Sequence, residues 1–440
     1  MPYHEEWTMM ARETRVRLAA GITVLTVAGS IAAGCGGGGG TKGSDGQTPP
    51  DTKVVKASSA APKGDIVVCM GKDTSNVHGP ALARFNAANP GAKARLIELP
   101  ESADQQRTQL VQRLKAKSKE CDVVGLDVVW TAEFAAQGWL ADVTDIVDQR
   151  KDEFIPSTLE TARYSGKYYA VPFNSNAGFI YYRTDQVKQV PKTWQDLYSV
   201  AKQRDGLVYQ GSRYEGLTVH FLELLYSAGG DVLNSDGTKA TADSDTTRTV
   251  LQFMVDGIKD GAVPKATLTY KEEEARRAFE SGNVTFMRNW PYAYSLGQDA
   301  PRIKGKFDVA PFPAFGDSKA ASVLGGYNLG ISAYSDNTAG AAAVIDYLTG
   351  MDQQVIYAEK STPPVLAKAY DDPAVRRALP FADALRLAIA QGRSRPVSPV
   401  YSQISEAISS NVYKALSGDS SVDKAVSSMQ SDIDAALGTY

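Results

Sequence analysis

Asp65-Ile-Val-Val-Cys-Met70 is an apolar, β-branched run that stops at Gly71, and it reads as a buried strand. Pro80 to Asn89 follows with Leu82 and Phe85 at helical spacing and halts at Asn89-Pro90-Gly91, a helix stop. Ala94-Arg-Leu-Ile-Glu-Leu99 is a second strand. Asp104 to Lys119 is an amphipathic helix with Leu110, Val111 and Leu114 on one face, and Asp122-Val-Val-Gly-Leu-Asp-Val-Val129 is a third strand. This alternation predicts an α/β fold with a parallel sheet covered by helices. Ligands of open α/β sheets sit beyond the carboxyl ends of the strands. Gly71-Lys72-Asp73-Thr74 and Asp127 to Trp130 fall at those ends.

A second block begins near Tyr168. Tyr169-Ala-Val-Pro-Phe173 and Gly178-Phe-Ile-Tyr-Tyr182 are strand-like and precede a helix with Thr193 as its N-cap. Helices are expected over Glu215–Ser227, Thr246–Lys259 and Glu272–Ser281. Strands are expected over Asn283–Arg288, Phe307–Ala310 and Asn328–Ser332, with helical sequence from there to the C-terminus. No internal repeat is evident.

Toward the N-terminus, Arg12, Arg15 and Arg17 precede an apolar run from Leu18 to Ala33. Residues 1–34 read as a secretory signal peptide, and the run is shorter than the roughly 20 residues that span a bilayer. Glu5 and Glu6 are out of place in such a leader, which points to Met9 or Met10 as the start. Cys35 after Ala-Ala-Gly resembles a bacterial lipobox, with Ala32 standing where Leu, Val or Ile is usual. The resemblance implies lipid on Cys35. Residues 35–63 are glycine-rich and polar and are expected to be a flexible tether.

The whole chain is 43% hydrophobic and 22% charged, with a net charge of −3. That balance offers no basic surface for nucleic acid, and no later segment is long and apolar enough to cross a membrane. Cys69 and Cys121 remain besides Cys35. An exported chain permits their pairing. Cys69 falls near the end of one strand and Cys121 just before the start of another. If those strands run parallel and adjacent, the two Cα atoms stand beyond the roughly 7 Å bridging limit. The pairing is therefore left open.

The order of elements resembles the extracytoplasmic solute-binding proteins of ABC sugar importers (family 1), particularly the maltose- and trehalose-binding type and lipoproteins of actinobacterial style. The resemblance covers nearly everything from Gly64 to Leu437. It is carried by Asp127-Val-Val-Trp-Thr-Ala-Glu-Phe134, Tyr169-Ala-Val-Pro-Phe-Asn-Ser-Asn176 and Tyr214-Glu-Gly-Leu217. Ala278-Phe-Glu-Ser-Gly-Asn-Val-Thr-Phe-Met-Arg-Asn-Trp-Pro-Tyr-Ala-Tyr294 and Leu324-Gly-Gly326 complete it. It implies a two-lobed, class II periplasmic-binding-protein-like fold with a hinge and an interlobe cleft. Chain crossings are expected near Asn174, Lys306 and Tyr334. The N-terminal lobe would then hold residues 64–174 and 307–333, and the C-terminal lobe residues 175–306 and 334–440. The implied protein is a monomer anchored at the outer face of the cell membrane. It needs no cofactor and passes its sugar to an ABC permease served by a separate ATPase.

A hexose presents an apolar ring face and a rim of hydroxyls. Aromatic rings stack on the first, while carboxylates, Asn and Arg bond the second. Trp290 and Tyr292 follow a strand and flank Pro291, and the resemblance makes them a stacking platform. Asp127 lies among Val and Leu, where a bare carboxylate is costly to bury. By resemblance it accepts bonds from sugar hydroxyls. Asn174 and Asn176 lie at the first crossing. Glu215 and Glu272 open helices, where a carboxylate also has a purely structural reason to stand. Gly325 and Gly326 leave backbone amides approachable, and a simple turn is an equal reading. Arg395 falls where the family often places a ligand-binding side chain. Asp73 and Thr74 lie on the exit loop of the first strand.

Nothing points to catalysis: the chain lacks GxxxxGK[ST], HExxH and Gly-x-Ser-x-Gly motifs, and His4, His78 and His220 are scattered. The enzyme alternative is a secreted glycoside hydrolase using Asp127 and Glu215 as its carboxylate pair. Binding alternatives are another polyol, a polyamine, or ferric iron held by Tyr181-Tyr182, although adjacent side chains of a strand point to opposite faces.

Overall fold

The computed structural model of the protein describes residues 50–439. The expected signal peptide at 1–34, the lipid site at Cys35 and the tether as far as residue 49 lie outside the described residues. Two sheets organise the rest. The first runs Ala92–Glu98, Gly64–Met70, Val123–Asp127, Leu324–Ile331, Val171–Ala177 in spatial order. Its first three strands are parallel, and Leu324–Ile331 is antiparallel to both of its neighbours. The second runs Phe307–Ala310, Phe179–Arg183, Phe286–Asn289, Leu207–Val208.

Helices on both faces of the first sheet explain its unbroken apolar run. Ile66, Val68 and Met70 share a core with Ala81, Leu82 and Phe85 of helix His78–Ala88. Val67 and Cys69 point the other way, into a core with Leu110 and Leu114 of helix Ala103–Lys115. Alternate residues face opposite layers, so neither set can be polar. Burial of each such valine or isoleucine contributes about 1.5–3 kcal/mol. Helix Ala103–Lys115 stops short of the expected Lys119. Lys117 adopts a left-handed φ of 54°, and the Ser118 amide turns back to the Arg113 carbonyl at 2.9 Å.

In the second lobe, helix Glu215–Ser227 is buried along its whole length. It packs against helices Asp245–Lys259 and Tyr401–Ser417, which places Glu215 at the lobe's inner edge.

Several expectations about segment placement are corrected. Phe307–Ala310, expected in the N-terminal lobe, pairs with Phe179–Arg183 in the second sheet. Phe307 packs there on Tyr181, Phe279 and Tyr294, an aromatic cluster found in that lobe alone, so the crossing falls after Ala310. The first crossing comes at Gly178 rather than Asn174, because Val171–Ala177 stays paired with Leu324–Ile331 as far as Ala177. Helix Thr338–Thr349, expected in the C-terminal lobe, lies on the first sheet, where Val344, Ile345 and Leu348 join the core of Ile66 and Val68. The end of the expected tether is docked as well. Val54 pairs with Asp142, and Val55 is buried in the same core.

Cys69 and Cys121 are bonded, with Cα atoms 5.8 Å apart. Strand pairing begins only at Val123, opposite Val68. Cys121 precedes it and is free of the register, and the Asp122 amide bonds the Val67 carbonyl at 2.9 Å, which draws the two cysteines together. Among the described residues no helix is long and apolar enough to cross a membrane.

Candidate functional site

A cavity of about 220 Å³ lies between the lobes. One wall comes from the carboxyl ends of the first sheet: the loop after Met70, Asp127 at its strand end, and Asn174, Asn176 and Tyr327. The second lobe supplies the other wall, through the starts of helices Glu215–Ser227 and Glu272–Glu280 and the turn after Asn289. The cavity brings together every residue expected to touch ligand: Asp73, Thr74, Asp127, Asn174, Asn176, Glu215, Glu272, Trp290, Tyr292, Gly325, Gly326 and Arg395.

Arg395 is 3% exposed and joins carboxylates of both lobes. Its Nη2 donates to Asp127 Oδ1 and its Nη1 to Glu215 Oε1, each at 2.6 Å. Glu215 also accepts from the Tyr401 hydroxyl at 2.6 Å and from Ser405. Burial works against the guanidinium charge, yet the facing Asp127 and Glu215 hold its pKa well above the ordinary value. Arg395 therefore stays cationic. Both carboxylates of the pair are thus bonded to one guanidinium.

Trp290 is placed by groups beneath the cavity. Its amide donates to Asn289 Oδ1 at 2.8 Å, and its carbonyl accepts from the Tyr181 hydroxyl at 2.7 Å. The Arg288 guanidinium covers the indole ring 4.0 Å from its centroid. Arg288 is itself fully buried, held by both oxygens of Glu223 and by Gln210 Oε1 at 2.9 Å. Glycine at 325 is a steric necessity, since a Cβ there would stand 2.9 Å from Trp290 Cη2. Gly326 has a φ of 116°, and a Cβ would meet the Asn174 carbonyl oxygen at 2.2 Å.

Tyr292 donates to Glu273 Oε1 and Tyr214 to Glu272 Oε2, both at 2.7 Å. Burial, with the neighbouring glutamates, holds both phenols well above their ordinary pKa, so they remain protonated donors. Asp73 accepts from the amides of Val77 at 2.7 Å and His78 at 2.6 Å. Its carboxylate is thus spent on capping a helix.

Sequence reasoning assigned no role to Gln106, His78 or Tyr327, which also line the cavity. Gln106 lies on an amphipathic helix, and Tyr327 donates to it at 3.0 Å. Neither carries a local signal that separates it from core or surface. Tyr214 precedes Glu215, and Glu273 stands with Glu272 and Glu274 among the three acids that open one helix, any of which the sequence allows to reach the ligand; only their contacts distinguish them. Tyr181, one of the tyrosines weighed for iron, is buried with its hydroxyl engaged by Trp290. No metal-holding group of His, Cys, Asp and Glu occurs among the described residues.

Residues 71–355 match the family of bacterial extracellular solute-binding proteins. A probable ABC transporter-binding protein of Deinococcus radiodurans is 34% identical over 369 residues, covering 79% of this chain and 87% of its own length. Among solved structures, maltose-bound MalE3 of T. maritima is 35% identical with a TM-score of 0.81, covering 84% of this chain and 98% of its own. The GacH receptor of Streptomyces glaucescens, solved unliganded and with acarbose, has a TM-score of 0.77 at 23% identity, over 86% of this chain and 99% of its own. That likeness concerns the fold alone: two α/β lobes of the class II type.

Proposed function

We propose, for a chain that belongs to the bacterial extracellular solute-binding proteins and serves an ABC transporter as its binding component rather than as an enzyme, that its ligand is an α-linked glucoside. A disaccharide of the maltose or trehalose kind is the preferred solute. The observation that carries this reading is Trp290, a partly exposed indole backed by Arg288 and set among hydrogen-bonding side chains. Stacking on Trp290 and Tyr292 takes the ring face. Asp127, Asn174, Asn176, Glu215, Glu272 and Arg395 take the hydroxyl rim, and Thr74 with the backbone at Gly325 and Gly326 completes it. The 35% identical maltose-bound neighbour supports the choice of sugar.

In this reading the lobes close on the sugar, and the closed form docks on a permease coupled to an ATPase. The chain acts as a monomer, exported and held by lipid on Cys35. Thermal-shift screening tests the sugar, because a ligand that binds only the folded state raises apparent stability by about 2.7 kcal/mol at a hundredfold excess over Kd. Maltose or trehalose should raise Tm. If only acyclic polyols or polyamines do so, the α-glucoside reading is wrong.

A further inference from the structure

Four helices begin at the cavity wall, and their first residues, His78, Ala103, Glu215 and Glu272, all line it. A helix N-terminus presents unpaired amides and the positive end of the helix dipole, an ordinary seat for phosphate or carboxylate. Here each start already has an acid of the protein's own. Asp73 caps the first through the Val77 and His78 amides. Asp104 stands in the first turn of the second, while Glu215 and Glu272 open the other two.

The charges facing the space are unequal. Six carboxylates line it (Asp73, Glu101, Asp127, Glu215, Glu272 and Glu273) against the basic groups Lys72 and Arg395. Lys72 is paired with Glu101 at 3.6 Å, and both terminal nitrogens of Arg395 are held by Asp127 and Glu215. Glu273 is neutralised from behind by Arg276 at 2.6 Å. Glu272 differs: among the described residues its side chain meets the Tyr214 hydroxyl and no cation within ion-pair distance. The wall is therefore rich in acceptors, and its cations are already engaged.

We infer that this cavity discriminates by charge, taking neutral or cationic polyhydroxylated ligands and rejecting phosphorylated or carboxylated sugars of the same skeleton. The inference rests on the sugar reading and narrows it. A hydroxyl or ammonium group brings a donor to Glu272. An anionic substituent brings a like charge to a half-buried carboxylate and meets only cations that already face carboxylates of the protein, the repulsive element from which specificity is built.

The test measures Kd by calorimetry for maltose and trehalose and for maltose 1-phosphate and trehalose 6-phosphate. The expected result is that each ester binds at least about a hundredfold more weakly than its parent, because like charges meet at close range in a cleft that solvent and salt still reach. Two measurements separate charge from bulk. Raising NaCl from about 0.05 to about 0.5 M should narrow the gap for the unaltered protein. Glu272→Gln, which keeps the shape, should narrow it about tenfold, as loss of one facing charge requires. An ester that binds within about threefold of its parent overturns the inference and leaves the sugar reading standing. A gap that neither salt nor Glu272→Gln changes makes the exclusion steric and also overturns it. Failure of both neutral sugars to bind removes the sugar reading, and the inference with it.

Discussion

Arg395 and Asp127 meet inside the cavity, Nη2 to Oδ1 at 2.6 Å. Asp127 ends a strand of the first lobe, while Arg395 stands on the segment that leads into helix Tyr401–Ser417 of the second. Through Nη1 the same guanidinium holds Glu215, at the start of the second lobe's central helix. One buried cation thus ties both walls of the cavity together, and its removal leaves two buried carboxylates facing each other.

Arg395→Met should destabilise the fold by about 3–5 kcal/mol, the usual penalty for stranding a buried charge. Urea unfolding measures it. Adding Asp127→Asn and Glu215→Gln to the same chain should recover most of the loss, because no unpaired charge then remains. A loss below about 1 kcal/mol, typical of exposed pairs, would contradict the burial of the network.

Trp290→Ala should abolish the sugar-induced thermal shift while the chain stays folded, at a cost to binding of about 2 kcal/mol or more, as for buried aromatic anchors. Full retention of affinity would end its role as a platform.

Arg288 supports that platform from below. Arg288→Met should cost stability because Glu223 is left unpaired and fully buried, and the double change with Glu223→Gln should restore part of it. Affinity should stay low in both variants, since the indole has lost the cation at its face, and Trp290 fluorescence should report the altered surroundings. Recovery of affinity together with stability would show that the pair acts only on folding.

Reducing or deleting the Cys69–Cys121 bond should lower unfolding free energy. The loop it closes has a sequence separation of 52, which corresponds to about 4 kcal/mol of denatured-state entropy. Cys69→Ser with Cys121→Ser, compared with the oxidised protein in guanidinium, gives the value. Equal midpoints would sink the estimate.

His220 is fully buried between Tyr209 and Trp194, and burial lowers its pKa despite nearby Glu223. The unfolded chain therefore binds a proton more readily below about pH 6.5, the ordinary histidine value. The stability from keeping His220 neutral is present above that pH and is lost as pH falls below it, with a slope of up to about 1.4 kcal/mol per pH unit. His220→Gln should flatten the decline between about pH 6.5 and 5 relative to the unaltered protein. An unchanged slope would assign the acid sensitivity elsewhere, His78 being the next candidate because burial lowers its pKa too.

What the chain declares locally, it declares well. Residues 66–70 are apolar at every position because both faces of the strand meet helices, and helix Glu215–Ser227 occupies the expected residues. The twelve expected residues that line the cavity were legible for a related reason: most stand at element ends or in loops, within segments whose order resembles a known family. Periodicity and end signals act over a few residues and survive without any knowledge of the partner.

Tertiary structure decided what depends on partners far along the chain. It placed Phe307–Ala310 in the second sheet, where aromatic neighbours receive Phe307, and it laid helix Thr338–Thr349 on the first sheet. Bonding of Cys69 to Cys121 followed from a loop that escapes strand register. The same holds inside the cavity. Arg288 looks like an ordinary strand residue until Glu223 and Trp290 are set around it. Arg395 becomes the link between lobes only when Asp127 and Glu215 arrive from 268 and 180 residues away. Pairing of buried charge is a property of the packed interior, where water is replaced by particular neighbours, and local sequence does not name those neighbours.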